Sequence, residues 1–287
     1  MPFLSLESIA LVGGRQLAGR KNYFTKVVKF LRAQKKEILF EKTVAKILGM
    51  KPARDSKIRK ADLILVFGGD GALLGAVRKF FGSRALFAGV RLDGTLGFLT
   101  EYFPANLTKL LAEFFRGKFE VSERMLLEAE VRRGGAAVKI LHALNEMVLQ
   151  QKNLAELIEL DFSLDSKKIA TFHADGVILA TPTGSTAYSL SAGGPILDPS
   201  LRACILTPIN PHLLAARPLV LPADEKIRSK IRVKNLVLTA DGQINFPLKI
   251  GDEIVFRKAE WMLQIIHPRN RNHFEILRHK LNWSRRN

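Results

Sequence analysis

Asp70 stands in LILVFGGDGALLGAVRKF, Leu63–Phe80, where a strand-like apolar run gives way to Gly68, Gly69, Asp70 and Gly71 and then to a helical pattern. Glycines at a strand-to-helix junction let an anion approach backbone N–H groups, and the start of the following helix adds its dipole to that attraction. A carboxylate in such a place would repel phosphate, so the role of Asp70 is an open question at this point. The plain alternative is a tight turn in which Asp70 caps the helix. There is no Walker lysine and no G-x-G-x-x-G, so neither standard phosphate loop applies.

Two further groupings bear on chemistry. In LNEMVL, Asn145 and Glu146 are adjacent in an otherwise apolar strand, so one of them faces the core unless the strand ends there. A buried carboxylate without a partner is costly, which makes a ligand contact at the strand end attractive, although an isolated polar pair in such a place is more often plainly solvated. In HADGVILATPTGSTAYSLSAGGPIL, His173–Leu197, an apolar strand over 177–180 runs into Thr181, Thr183, Ser185, Thr186, Tyr188, Ser189 and Ser191. Neutral hydroxyls at that density suit ribose and phosphate, and Tyr188 offers a stacking face. The alternative is a plain Ser/Thr-rich turn, against which stand the density of hydroxyls and the AGG that follows at once in place of charged loop residues. Six histidines, among them His142, His173 and His212, show no metal-ligand spacing, and neither a nucleophile elbow nor a catalytic triad is evident.

These segments need a scaffold, and the apolar periodicity supplies one. SIALVGG at 8–14 reads as strand, 19–33 as a helix burying Phe24, Val27, Val28 and Leu31, and EILFE as a second strand. A basic, irregular region reaches Lys60, followed by the strand–GGDG–helix unit and the strand ALFAGVRL. Alternating strands and helices predict a parallel sheet of βαβ units. Pro104–Phe119 reads as a helix capped by Asn106, with Leu107, Leu110, Leu111 and Phe114 on one face and Gly117 as the stop. Beyond it, period-two patterns and Gly, Pro and Asn turns dominate. The tail HFEILRHKLNW resumes helical spacing, with Phe274, Leu277 and Leu281 in one stripe. The fold expected is an α/β N-terminal domain (1–119) with a parallel sheet and the GGDG loop, plus a β-rich C-terminal domain (120–266). A C-terminal helix in 267–287 returns to the first domain.

The composition is that of an ordinary globular chain of 287 residues, 47% hydrophobic and 25% charged, with a formal net charge of +18. That charge favours polyanionic partners, while the absence of a zinc-finger spacing or an RNA-binding sheet signature argues against specific nucleic-acid recognition. Cys204, the single cysteine, lies in an apolar run, which rules out an intrachain disulfide and suggests a small buried hydrophobe in a reducing compartment. No signal peptide and no apolar run of membrane-spanning length is read, so the expected location is cytoplasmic, with no membrane partner.

Taken in order, GGDG, GTLGFLT, LNE, DGVILATPTGSTAYSLSAGGPIL, TPINPHLLAARPLVLP and DGQ closely resemble the bacterial NAD kinase family, over most of the chain. The resemblance implies an α/β domain facing a β-rich one, NAD bound between them, and transfer of a phosphoryl group from ATP, or polyphosphate, to the 2′-hydroxyl of the adenosine ribose. Mg²⁺ would accompany ATP, with no protein-held metal. Asp70 would be the catalytic base. Gly68, Gly69, Gly71 and Phe98 would line the phosphate and dinucleotide site. Asn145, Glu146, His173, Asp175, Thr186, Ala187, Tyr188, Ser189, Leu190, Ser191 and Gln243 would bind the nucleotide, and a homo-oligomer, dimer or tetramer, is implied. Ala72 stands where many relatives carry Thr or Asn, and His173 where many carry Arg. The stretch GVRLDGTLGFL departs from the family's GINRGNLGFL-like pattern around Arg91–Asp93. A noncatalytic NAD(P) sensor and a GGDG-type lipid or sugar kinase are the competing readings.

Overall fold

The computed structural model describes residues 6–13, 17, 19–92, 97–102, 104–152, 158–213, 215–269 and 272–283. Gly14 of the first apolar run, Gly94–Leu96 of GTLGFLT and Asp93 of the departing loop lie outside them. The chain forms two compact units, one of Met1–Glu123 with Leu263–Asn287 and the other of Arg124–Met262.

The first unit is built from β1 (Ser8–Gly13), α1 (Lys21–Ala33), β2 (Glu37–Phe40), α2 (Lys42–Leu48), α3 (Asp55–Ile58), β3 (Leu63–Phe67) and α4 (Asp70–Lys79). β4 (Leu86–Val90), β5 (Thr100–Tyr102), α5 (Leu107–Phe115) and β6 (Glu120–Arg124) follow. β1, β2, β3 and β4 pair in parallel, and every residue of β3 and β4 is buried, as the unbroken apolar runs LILVF and LFAGV require when a sheet is covered on both faces. α1 buries Phe24, Val27, Val28 and Leu31, the stripe expected from its spacing.

Three local expectations are corrected. The basic region before Lys60 is not irregular but holds α2 and α3; Glu41 caps α2 by accepting from the Thr43 N–H, and Gly49 closes it at φ 68°. Asn106 occupies the cap position of α5 without a side-chain cap bond, because a 3-10 turn over Pro104–Asn106 leads into the helix instead. Asp70 does not cap α4: Gly69 is the capping residue, and the Asp70 carboxylate is engaged elsewhere.

The second unit contains β7 (Leu127–Arg133), β8 (Ala136–Ala143), β9 (Glu146–Gln151), β10 (Ile158–Leu164), β11 (Lys167–Ala174) and β12 (Gly176–Ala180). It continues with the one-turn helix α6 (Tyr188–Ser191), β13 (Ala203–Ile209), β14 (Leu219–Pro222), β15 (Ile227–Lys230), β16 (Leu236–Ala240), β17 (Ile244–Pro247) and β18 (Glu253–Lys258). Two six-stranded sheets result, β11-β10-β15-β18-β7-β8 and β14-β13-β12-β9-β16-β17. Their facing side chains, including Val131, Leu160, Phe162 and Phe256 from one and Leu149, Leu179, Leu206 and Leu238 from the other, share one core. The far face of the second sheet carries Val148, Ile178 and Ile205 under Ala192 and Leu197.

After the second unit the chain returns. β19 (Leu263–His267) enters the first sheet between β4 and β6, giving the order β2-β1-β3-β4-β19-β6 with β5 on β4, and α7 (His273–Lys280) follows. α7 buries Ile276 and Leu277, whereas Phe274 is 60% exposed, so the expected Phe274–Leu277–Leu281 stripe is displaced toward Ile276.

Candidate active site

In the first unit, β3 and β4 are neighbours in register, Phe67 beside Val90, so Gly68 and Arg91 leave the sheet side by side at its C-terminal edge. That edge is where open α/β sheets bind ligands. The Gly68 N–H donates to Val90 O, and its φ of 146° suits glycine alone, with Ala72 Cβ too close for a side chain. Gly69 then hands the chain to α4, with Asp70 and Gly71 in the first turn.

The Asp70 carboxylate is held by the segment Phe98–Thr100. Oδ1 accepts from Leu99 N–H (3.3 Å), Thr100 N–H (3.0 Å) and the Thr100 hydroxyl (2.7 Å), while Oδ2 accepts from Phe98 N–H (2.9 Å). Among the described residues, therefore, one oxygen is crowded and the other takes a single donor. The approach is close enough that a Cβ on Gly97 would stand 2.2 Å from Asp70 Oδ1. Phe98 is half-buried, with the Lys280 ammonium 5.8 Å from its ring centroid.

In the second unit, one end of the β14-to-β17 sheet gathers most of the remaining candidates. β9 starts at Glu146, which pairs with Ala180, the last residue of β12, and Asp241 follows the last residue of β16. Asp241, at φ 49°, turns its carboxylate onto the N–H groups of Leu144, Asn145 and Glu146. Glu146 is buried against it. Desolvation first, and the Asp241 charge second, push the Glu146 carboxyl up to about 7, opposed by a hydrogen bond from the Tyr188 N–H. Asn145 Oδ1, Glu146 Oε2 and Thr183 Oγ1 are buried there without a hydrogen-bond partner among the described residues. Three such atoms converging at a strand end are what a bound polar ligand would satisfy.

The hydroxyl-rich segment is less available than its composition suggests. Thr181 bonds to Leu144 O, Ser185 to Pro182 O, Thr186 to Thr183 O, and Ser189, fully buried, to Thr207. These hydroxyls fold the turn Thr183–Thr186 and α6 onto the sheet, leaving the exposed Tyr188 and Ser191 and the half-buried Thr186, Ala187 and Leu190 as its accessible surface. Gln243 is exposed in the turn beyond Asp241.

His173 and Asp175 are placed apart from this cluster. Asp175 precedes β12 and accepts from the Asn210 side chain, whereas Thr181 follows that strand, a separation along it of about 20 Å. His173, on β11, is exposed and lies opposite Glu159. Three residues of the site were not singled out from sequence: Thr100, Asp241 and Arg91. The Asp-Gly of ADGQ is a turn signal that pointed to Asp241; the other two have no local signature.

Among the described residues no cluster of three or more His, Cys, Asp or Glu could hold a metal ion. Cys204 is buried as expected, and burial pushes its thiol up to about 12.

Comparison with known proteins identifies the family of the chain and its fold. The ATP-NAD kinase N-terminal domain matches residues 18–119 and the ATP-NAD kinase C-terminal domain residues 144–268. NAD kinase of Syntrophotalea carbinolica is 42% identical over 91% of this chain and 93% of its own length, and that of Carboxydothermus hydrogenoformans 44% identical over 81% and 83%. Yeast NADH kinase complexed with NADH superposes with a TM-score of 0.89 at 27% identity, covering 99% of this chain and 89% of that one. An NAD kinase from Archaeoglobus fulgidus in complex with ATP gives 0.76 at 25% identity, covering 96% and 98%. With both domain types in sequence and relatives above 40% identity across nearly its whole length, the chain belongs to the ATP-NAD kinase family.

Proposed function

We propose that the protein transfers the terminal phosphoryl group of ATP to the adenosine ribose 2′-hydroxyl of NAD, giving NADP, with Asp70 as the base. The observation that carries this is the asymmetry of the Asp70 carboxylate. Three donors fix Oδ1 in place, while Oδ2, with one donor, keeps lone-pair capacity for a hydroxyl proton. A sugar hydroxyl is a weak nucleophile at neutral pH, and phosphoryl transfer depends chiefly on alignment and charge stabilisation. The glycine turn and the first turn of α4 supply backbone donors suited to phosphate oxygens. Mg²⁺ fits as a companion of ATP: a single carboxylate beside a phosphate loop suits an ion that keeps its waters and phosphate ligands, and it would offset charge on the triphosphate. Polyphosphate is an alternative donor of the same chemistry.

In this reading Asn145, Glu146, Thr186, Ala187, Tyr188, Leu190, Ser191 and Gln243 bind the dinucleotide, and Gly68, Gly69, Gly71 and Phe98 flank its reacting end. Ser189 serves by holding α6. Asp175 stands about 20 Å along β12 from the cluster, and His173 lies on β11; in this reading the chain forms a homo-oligomer in which they meet the nucleotide of a second copy. A monomer at assay concentration in sedimentation, active and indifferent to Asp175→Ala, would remove that role. No described helix is long and apolar enough to cross a membrane.

The test is a coupled assay with purified protein, NAD, Mg²⁺ and either ATP or polyphosphate, NADP being read by a dehydrogenase specific for it. Wild type is expected to form NADP, and Asp70→Asn, whose amide nitrogen cannot accept from the N–H groups that the carboxylate now takes, to stay folded with a lowered melting temperature and form none. NADP formation by Asp70→Asn at near-normal rate would refute the assignment of the base, and no turnover by wild type would favour a noncatalytic sensor.

A further inference from the structure

Arg91 is the cation the glycine turn admits. It follows the last residue of β4, and its backbone N–H donates to Tyr102 O, so the side chain starts from a fixed point on the sheet edge. Its Nη1 lies 3.6 Å from where a Cβ on Gly69 would be and 3.0 Å from where one on Gly97 would be. Asp70 Oδ1 and Thr100 Oγ1 surround that same point at Gly97, at 2.2 and 2.4 Å. The missing side chains at Gly69 and Gly97 thus give the guanidinium its room beside the carboxylate. Its Nη1 lies 3.5 Å from the Thr100 hydroxyl, the same hydroxyl that donates to Asp70 Oδ1, and the residue is half-buried.

The chemistry of the turn calls for such a group. A carboxylate beside a phosphate loop repels the anion it must approach, and a nearby fixed cation offsets that repulsion where solvent is excluded. Guanidinium stays charged throughout the working pH range and matches phosphate oxygens with paired donors.

We propose that Arg91 binds the phosphoryl group in transfer from ATP and stabilises the negative charge on its oxygens. This rests on the reading of the GGDG turn as the phosphoryl-transfer site. In the step, the ribose 2′-oxygen bonds to the γ-phosphorus and its proton passes to Asp70. The bond from that phosphorus to the oxygen bridging the β-phosphate breaks, its electron pair leaving on ADP. Arg91 makes and breaks no covalent bond.

The experiment compares Arg91→Gln, Arg91→Lys and Asp70→Asn for kcat, KM for NAD, melting temperature and calorimetric affinity for inorganic tripolyphosphate. Arg91→Gln is expected to lower kcat about 10²- to 10³-fold, as removal of a charge-stabilising donor does. It should weaken tripolyphosphate about tenfold or more and leave KM for NAD and the melting temperature near wild type. Arg91→Lys should fall between, and added guanidinium ion should restore part of the activity of Arg91→Gln and none of Asp70→Asn. Arg91→Gln within threefold of wild type beside an inactive Asp70→Asn overturns the role of Arg91 and leaves the site reading standing. Equal losses in Gln and Lys with a lowered melting temperature show a structural role and also overturn it. An active Asp70→Asn overturns the site reading itself.

Discussion

Glu146 carries its charge reluctantly, and that makes it a reporter on the strand-end cluster of the second unit. Burial and the Asp241 carboxylate raise its carboxyl to about 7, while the unfolded chain titrates it near its ordinary 4.5. The native state therefore binds this proton more tightly than the unfolded state. The stabilisation is complete below about 4.5 and is lost as pH rises through about 7. The change is on the order of 3 kcal/mol across that window, since each unit is worth about 1.4 kcal/mol. Glu146→Gln, neutral at every pH and similar in shape, should flatten the dependence, with melting temperatures near wild type at pH 5 and above it at pH 8.5. Parallel melting-temperature profiles for the two proteins from pH 5 to 8.5 would show that Asp241 and burial do not act on Glu146 as described. A nucleotide that supplies a donor to Oε2 would pull the same proton equilibrium toward the carboxylate.

Elements here are set against one another by glycines of two kinds, and alanine substitution tells them apart. At Gly184, in the turn after β12, a Cβ would lie 2.1 Å from Asn145 O and 2.5 Å from its carbonyl carbon, so the turn rests directly on the backbone that enters β9. Gly184→Ala must push two elements apart and is expected to cost more than about 3 kcal/mol. Gly242, at φ 62° with nothing within 4 Å of its Cβ position, has only its backbone conformation at stake, worth about 1–2 kcal/mol. Denaturant midpoints measured at constant m-value check the ranking; equal shifts would mean the close approach at Gly184 relaxes freely. The same contrast explains what could be read beforehand. β3, the GGDG turn and α4 were legible because period, glycine and helix pattern are all local. α2 and α3 were hidden because Lys and Arg interrupt the apolar pattern over 41–60. Thr100 and Asp241 act on residues 30 and about 96 positions away, and no window of sequence reports such a contact. The hydroxyls of 181–191 were visible, but whether they face a ligand or their own turn is decided by Leu144 and Thr207, which the fold brings in.

The two units differ in how the chain closes them, and folding of the whole molecule follows from that. The second is one continuous segment, Arg124–Met262, with its own two-sheet core. The first is interrupted: its sheet path from β4 to β6 runs through β19, which the chain reaches only after the second unit is complete. Leu263, Ile265 and Ile266 of β19 are almost fully buried, the Tyr102 hydroxyl donates to Ile266 O, and the Ser122 hydroxyl bonds the His267 ring 2.7 Å away. Removing β19 would leave the fully buried β4 with an unpaired edge and detach the more exposed β6 from the sheet, a greater loss than any single core substitution. A fragment of residues 124–262 is therefore expected to be soluble and to unfold cooperatively by itself. A fragment of residues 1–123 should be molten or insoluble and should gain cooperative melting when a 263–287 peptide is added. Truncation after Pro268, which removes α7 and keeps β19, should lower the melting temperature without abolishing the transition. Circular dichroism melts of these three proteins, with the peptide added to 1–123, decide it, and a sharp transition in 1–123 alone would mean that β19 decorates a sheet already stable without it.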